Sequence, residues 1–307
     1  MDNLIVETNN LSKCYGTNMV VNHVNIHVKR GSIYGLLGRN GAGKTSIMKM
    51  MLGLTSITDG SITVFGMPLA TSKAQILPRI GAMIETPGFY PNLTATENLQ
   101  ILTSLRGVTN KSAIQESLEL VGLSYKDKKL FSEYSLGMKQ RLGIAASIVH
   151  DPELLILDEP TNGLDPIGIA EMRTFIHELC NIKGKTVLIS SHILSEIALL
   201  ADDIGIIDHG TLLEEESLKE LEEKNAKFVR FIVSDAKKAA QIITNTFGLK
   251  NIQIIDNNTV YLYDMTLPVA KINRIFIEAG IDVNEAHLCE NTLEDYFKKI
   301  TGGEGIA

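Results

Sequence analysis

Gly38-Arg39-Asn40-Gly41-Ala42-Gly43-Lys44-Thr45 fits the pattern G-x-x-x-x-G-K-[ST]. Glycines in such a turn let backbone N–H groups point inward around phosphate oxygens with no Cβ in the way. Lys44 is placed to neutralise β and γ oxygens, and the Thr45 hydroxyl to bind Mg2+. A helix that begins here aims its N-terminal amides at the same anion. The candidate nucleotide-binding run is therefore Gly38, Arg39, Asn40, Gly41, Ala42, Gly43, Lys44, Thr45 and Ser46.

The flanks supply the context this turn needs. Ser32-Ile33-Tyr34-Gly35-Leu36-Leu37 before it reads as a buried strand, and a helix is expected from about Thr45 to Leu52, with Gly53 as its stop. Upstream, Val20 to Val28 alternates as a half-buried antiparallel strand does. Downstream, residues from about Pro87 to Glu133 read as helical, with caps expected at Thr94 and Asn110. Strands return at Leu154–Leu157 and Thr186–Ser190, so strands alternate with helices and the fold class is α/β with a helical insertion. Ile204–Asp208 and Thr211–Glu214 flank His209-Gly210 as a hairpin, and a charged helix is expected from Glu214 to Lys224. Beyond it, residues 227–307 alternate between strand and helix signals as a separate small α+β unit. The expected division is 1–225 for the nucleotide-binding domain, with the helical part at about 87–140, and 226–307 for an accessory domain.

Leu154-Leu155-Ile156-Leu157-Asp158-Glu159 is four apolar residues ending in two acids. The carboxyl end of a buried strand in an α/β sheet faces the ligand crevice. There Asp158 can hold Mg2+, and Glu159 can orient or deprotonate an attacking water.

Composition narrows the class. Among 307 residues, 29 basic and 36 acidic side chains leave a net charge of −7, which argues against an electrostatic nucleic-acid binder. The three cysteines, Cys14, Cys180 and Cys289, form neither a disulfide framework nor a metal spacing, as expected of a protein in a reducing cytosol. No apolar run reaches the roughly 18–20 residues of a membrane span, and the first residues do not read as a secretory signal. Any service to a membrane is expected to go through a partner chain.

Three further segments complete a pattern. Tyr134-Ser135-Leu136-Gly137-Met138-Lys139-Gln140-Arg141, Asn162-Gly163-Leu164-Asp165 and Ser190-Ser191-His192 follow the glycine turn in order, with Asp158 and Glu159 between the first two. Together these motifs resemble the ATPase subunits of ABC transporters over about residues 4–224. The resemblance implies an antiparallel β subdomain and a helical subdomain on a P-loop ATPase core. It also implies ATP as ligand, Mg2+ as its metal, and a sandwich of two ATPs between two copies of the chain or a copy and a homologue. Integral-membrane permease chains would be the other partners, at the cytoplasmic face of the membrane. By the same resemblance Tyr15 stacks on adenine, Ser135 and Gly137 face the γ-phosphate held by the opposite copy, Glu85 and Asp165 belong to the ATP site, and His192 contacts the γ-phosphate beside the catalytic Glu159.

Two features depart from the family pattern. Glu85 stands where the family usually carries glutamine, and Leu136 and Met138 replace usual signature residues. An ionised carboxylate cannot donate the hydrogen bond an amide can. With Glu85-Thr86-Pro87-Gly88-Phe89-Tyr90, Asp165-Pro166-Ile167-Gly168-Ile169 and Thr292-Leu293-Glu294-Asp295-Tyr296-Phe297, these departures resemble the bacitracin-export and lantibiotic-immunity branch. Export of another substrate, such as a lipid or drug, or a soluble ATPase role apart from transport, are the alternatives.

Overall fold

The computed structural model describes residues 3–85, 88–181, 183–224, 227–248, 251–264, 268–290 and 293–301. Thr86, Pro87 and Thr292, named above within branch-specific segments, lie outside the described residues. By its internal contacts the chain divides into two compact units, with the boundary between Leu218 and Lys219.

The first unit opens with β1 (Leu4–Tyr15), β2 (Asn18–Val24), β3 (His27–Lys29) and β4 (Ile33–Leu37), then α1 (Lys44–Met51). Next come β5 (Asp59–Val64), β6 (Met67–Pro68), α2 (Leu69–Ile76) and β7 (Ile80–Met83). The helical stretch holds α3 (Ala95–Arg106), α4 (Ala113–Leu120) and α5 (Leu136–Ile148), with a short 3-10 turn at Phe131–Glu133. The unit closes with β8 (Leu154–Asp158), α6 (Pro166–Asn181), β9 (Thr186–Ser191), α7 (Leu194–Ala198), β10 (Asp203–Asp208) and β11 (Thr211–Ser217).

Two sheets share one core. The antiparallel sheet has the order β2-β1-β5-β6, with β3 also paired to β1. The larger sheet has six strands in the order β11-β10-β4-β9-β8-β7, parallel except for β11. All five residues of β4 and of β8 are buried, as the continuous apolar runs required of strands covered on both faces. Ile47, Met48, Met50 and Met51 of α1 pack with Leu36, Leu154, Ile156 and residues of the antiparallel sheet in a single cluster. Each such fully buried side chain contributes about 1.5–3 kcal/mol, so the nucleotide turn is anchored at both ends.

Local chemistry explains several boundaries. The alternating stretch from Val20 to Val28 is two strands rather than one, because the buried Thr8 hydroxyl donates to Val24 O (2.9 Å) and accepts from Ile26 N (2.8 Å) at the break. Thr94 caps α3 reciprocally: its Oγ1 accepts from Glu97 N, and Glu97 Oε2 accepts from Thr94 N. That bond and the Thr94 hydroxyl hold the Glu97 carboxyl below its usual range. Asn110 sits two residues before the cap position of α4 but supplies the side-chain acceptor there, since Ser112 makes no side-chain capping bond. Ser112 holds that position, and Asn110 Oδ1 accepts from Ser112 N and Oγ in the turn before it. The last helix of this stretch, α5, continues beyond residue 140 to Ile148.

The charged helix expected from Glu214 begins later. Glu214, Glu215 and Glu216 belong to β11, paired with Ile206, Gly205 and Ile204. Glu215 takes three donors there, from His27 N, His27 Nδ1 and Tyr34 Oη, which makes the extended backbone the better host for this acidic run. The helix itself, α8, spans Leu218–Lys224.

The second unit contains β12 (Lys227–Val233), α9 (Ala236–Phe247), β13 (Ile252–Ile254), β14 (Thr259–Leu262), α10 (Val269–Glu278), β15 (Val283–Glu290) and α11 (Leu293–Ile300). Its four strands run in the order β13-β14-β12-β15 with antiparallel neighbours, the ferredoxin-like βαββαβ arrangement. Val229, Phe231 and Val233 face Ile243, Ile272 and Phe276 of the two helices, and Phe231 meets Phe276 edge to face.

Candidate functional site

Three neighbouring parallel strands, β4, β9 and β8, bring the candidate residues together at their carboxyl ends. The glycine turn leaves β4, Ser191 and His192 leave β9, and Asp158 and Glu159 leave β8. Gly38 N donates to Ser191 O at 3.2 Å, so the first two ends are tied directly. The turn tolerates no side chain at two points. A Cβ on Gly38 would lie 2.4 Å from Ile207 O, and Gly43, at φ 108°, would put one 2.8 Å from Val20 O. The Ala42 carbonyl accepts from Gly210 N at 3.0 Å, which pins the turn to the hairpin between β10 and β11.

Lys44 is 5 % exposed, and its Nζ donates to Gly38 O (2.6 Å) and Arg39 O (3.1 Å) inside the turn. The same ammonium lies 3.2 Å from Glu159 Oε1. Thr45 Oγ1 donates to Asp158 Oδ2 at 2.7 Å, and Ser190 Oγ donates to Asp158 Oδ1 at 2.6 Å. A hydroxyl and a carboxylate side by side are the hard oxygen ligands Mg2+ prefers, with its remaining positions left to water and phosphate. Glu159 Oε2 lies 2.8 Å from His192 Nδ1. Glu159 has φ 47°, a left-handed conformation that costs a non-glycine residue about 1–3 kcal/mol. Bonds from Glu159 N to Ser190 Oγ (2.9 Å) and from Asn162 N to Glu159 O (3.1 Å) hold it there.

Tyr15 ends β1 with a half-exposed ring, and Lys13 Nζ sits 4.8 Å from the ring centroid. A bond to Thr55, outweighing partial burial, and another to Ser46 lower its phenol below the usual range, which places the ring beside the start of α1. Glu85 is held by Lys49, whose Nζ is 2.6 Å from Glu85 Oε1.

Ser135, Gly137 and Asp165 form a second group. Ser135 is the N-cap of α5, its Oγ accepting from Met138 N at 3.3 Å, and Asp165 Oδ1 accepts from Gly168 N at 2.8 Å at the start of α6. These three line one open cleft of about 660 Å3 with Leu136 and Leu164. A hydroxyl and backbone amides at a helix start present donors to an anion from outside.

Two positions were given no role by motif reading. Ser190 is fully buried and serves both acids, donating to Asp158 and accepting from the backbone of Glu159. Glu196, four residues past His192, accepts from Thr161 Oγ1 (2.7 Å) and Ser191 Oγ (3.2 Å). Its carboxylate thereby staples the turn after Glu159 to the turn before His192. The available signal was spacing alone: an acid one helical turn beyond the histidine. Removing the acceptor takes a partner from two buried hydroxyls, of which Ser191 Oγ keeps its bonds with Ile193, and loosens the Glu159–His192 geometry. Glu196→Ala is expected to lower kcat for nucleotide hydrolysis about tenfold with KM little changed, and Glu196→Gln, which keeps an acceptor oxygen, to restore most of it. A phosphate-release assay on both variants checks this; equal losses in the two would contradict it.

Comparison with known proteins meets this geometry. The family described as ABC transporter matches residues 21–162. The bacitracin transport ATP-binding protein of Enterococcus faecalis is 52 % identical over 303 residues, covering 99 % of this chain and 98 % of that protein. The lantibiotic transport ATP-binding protein of Streptococcus pyogenes is 47 % identical over 223 residues, covering 71 % and 95 %. Among solved structures, one described as the ATP-binding subunit of an ABC transporter superposes with a TM-score of 0.64 at 28 % identity, covering 72 % of this chain and 92 % of that one. The glycine turn, the paired acids and the histidine thus meet at neighbouring strand ends of a chain that belongs to the ABC transporter ATPases, as an ATP-binding subunit.

Proposed function

We propose that the chain powers export of a peptide antibiotic of the bacitracin or lantibiotic kind, by binding and hydrolysing ATP beside a membrane-embedded permease. The observation that carries the cargo class is the likeness to the bacitracin transport protein. With 303 of 307 residues aligned, it extends through both units rather than the ATPase core alone. Among the described residues no helix is long and apolar enough to cross a membrane; in this reading the permease is supplied by separate chains, and the place of this chain is peripheral, at the cytoplasmic face.

In this reading the amides of Gly38 to Ser46 and the Lys44 ammonium receive the triphosphate, and Tyr15 stacks on the adenine. Lys44 exchanges its bonds to Gly38 O and Arg39 O for phosphate oxygens. Thr45 and Asp158 would hold Mg2+, which when bound offsets charge on the phosphates. Glu159 accepts or directs the proton of the attacking water. His192, at 2.8 Å from its carboxylate, keeps that carboxylate aimed and reaches the γ-phosphate. The chemistry is mainly positioning and charge neutralisation. Ser135, Gly137 and Asp165 complete the site of a second copy, so two chains enclose two nucleotides.

The test of cargo is a susceptibility assay. Deleting the coding region, or replacing it with the Glu159→Gln form, is expected to lower the concentration of bacitracin or lantibiotic the cells survive, and the parent sequence to restore it. Unchanged tolerance to both classes would contradict peptide-antibiotic export while leaving the ATPase chemistry in place.

A further inference from the structure

A groove bordered by α4, α5 and α6 encloses about 310 Å3, at the small end of the roughly 300–1,000 Å3 usual for ligand pockets. Val121, Ile144, Met172 and Phe175, all buried, give it an apolar floor. Its mouth carries three acids. Glu171 and Glu178, with Thr174 and Phe175 between them, fall at i, i+3, i+4 and i+7 on one face of α6, and Glu119 comes from the end of α4. Among the described residues Arg141 is the one basic side chain lining the groove, and it is already engaged: it pairs with Glu171 and donates to Val121 O at 3.1 Å. Glu119 accepts from a neutral donor, Gln115 Nε2, at 2.8 Å, and among the described residues neither Glu119 nor Glu178 forms an ion pair. Three carboxylates against one guanidinium thus leave two negative charges uncompensated at the rim of an apolar cavity.

Such a lining selects by chemistry. An anion is repelled at the mouth. A neutral apolar molecule gains only the floor, and a compact cation gains only exposed, salt-screened charges. A molecule with an apolar body and one ammonium uses both. The cavity is too small to enclose even one turn of helix, which is about 10–12 Å across, so its occupant is a small molecule. We propose that this groove is a binding site for a small apolar amine, its hydrocarbon part on Ile144, Met172 and Phe175 and its ammonium at Glu119 and Glu178. Gly122, Arg141 and Glu171 also line the cleft that holds Ser135, so the two cavities share a wall. The site is separate from the glycine turn and does not depend on what that turn binds.

The experiment compares three probes of similar size, phenylbutylamine, phenylbutanol and phenylbutyrate, on the full chain by ligand-observed NMR. The amine should bind about fivefold more tightly than the alcohol and at least about tenfold more tightly than the carboxylate. Glu119 and Glu178 are exposed, so replacing them puts little of the fold at risk. Glu119→Gln and Glu178→Gln should each weaken the amine about two- to fivefold and leave the alcohol unchanged. A merely structural effect would weaken both probes alike. Glu7→Gln, at an exposed acid of β1 outside the groove, should change neither. No binding of the amine, or equal affinity for amine and carboxylate, overturns the proposal. Amine binding that neither groove variant weakens, or that Glu7→Gln weakens equally, also overturns it, since attraction would then come from the overall negative charge. Binding of a lysine-rich amphipathic peptide in place of the amine would make the groove a docking face for protein and overturn it as well.

Discussion

Glu159→Gln is expected to bind ATP as the parent does and to hydrolyse it about 10²–10⁴-fold more slowly, the usual worth of a positioned general base. Glutamine keeps the shape of the side chain and can still meet His192 Nδ1, now 2.8 Å away, so the bonds from residue 159 N to Ser190 Oγ and from Asn162 N to residue 159 O should hold the turn unchanged. What it loses is the capacity to take a proton. Single-turnover phosphate release, paired with equilibrium binding of a fluorescent ATP analogue, separates the two effects. Turnover close to the parent would take Glu159 out of the chemistry and leave its left-handed backbone without a catalytic explanation.

The second large effect is at the cradle. Lys44→Ala removes the one ammonium that the turn encloses, together with its contacts to Gly38 O, Arg39 O and Glu159. Hydrogen bonds involving a charged group contribute about 1.5–3 kcal/mol each, so ATP affinity should weaken by at least about ten- to hundredfold. Lys44→Met, which preserves the buried stem, should lose nearly as much. Affinity unchanged in both variants would mean that the phosphates lie elsewhere.

The places of these two residues in the fold were legible from sequence because they lie in short contiguous runs whose geometry the backbone dictates. Gly38–Thr45 is a loop between a buried strand and a helix, and Leu154–Glu159 is a strand that ends in acids; each can be read without knowing what lies opposite. The strands of the second unit were legible for a similar reason, since Phe228 to Val233 and Thr259 to Leu262 are rich in β-branched and aromatic residues. Contacts between distant segments were not legible. Ser190 was visible only as a neighbour of His192, although its hydroxyl joins Asp158 and Glu159 from 32 and 31 positions away. Glu196 and Thr161 are 35 apart, and Lys49 and Glu85 are 36 apart. Nothing in either local pattern announces its partner. The acidic run Glu214–Glu216 was misread for the same reason. Its local preference is helical, but His27 and Tyr34 recruit Glu215 and pairing with β10 extends the strand.

The departures from the family pattern can be read on the same terms. Leu136, half exposed, and Met138 lie on the cleft that holds Ser135 and Gly137, while the Ser135 cap and the start of α5 are intact. The donors at this helix start depend on backbone and one hydroxyl, which neither replacement removes. Glu85 is met by a lysine on α1, so its charge does not stand alone.

Whether two copies close on nucleotide is best measured on the Glu159→Gln form by analytical ultracentrifugation, with Mg2+ and ATP and with the permease chains supplied where needed. Pairing that requires ATP, and that is lost when Ser135 is replaced by arginine, is the expected result. A protein that stays single at saturating ATP, with or without its membrane partners, would contradict a site shared between the glycine turn of one copy and the Ser135 helix start of the other.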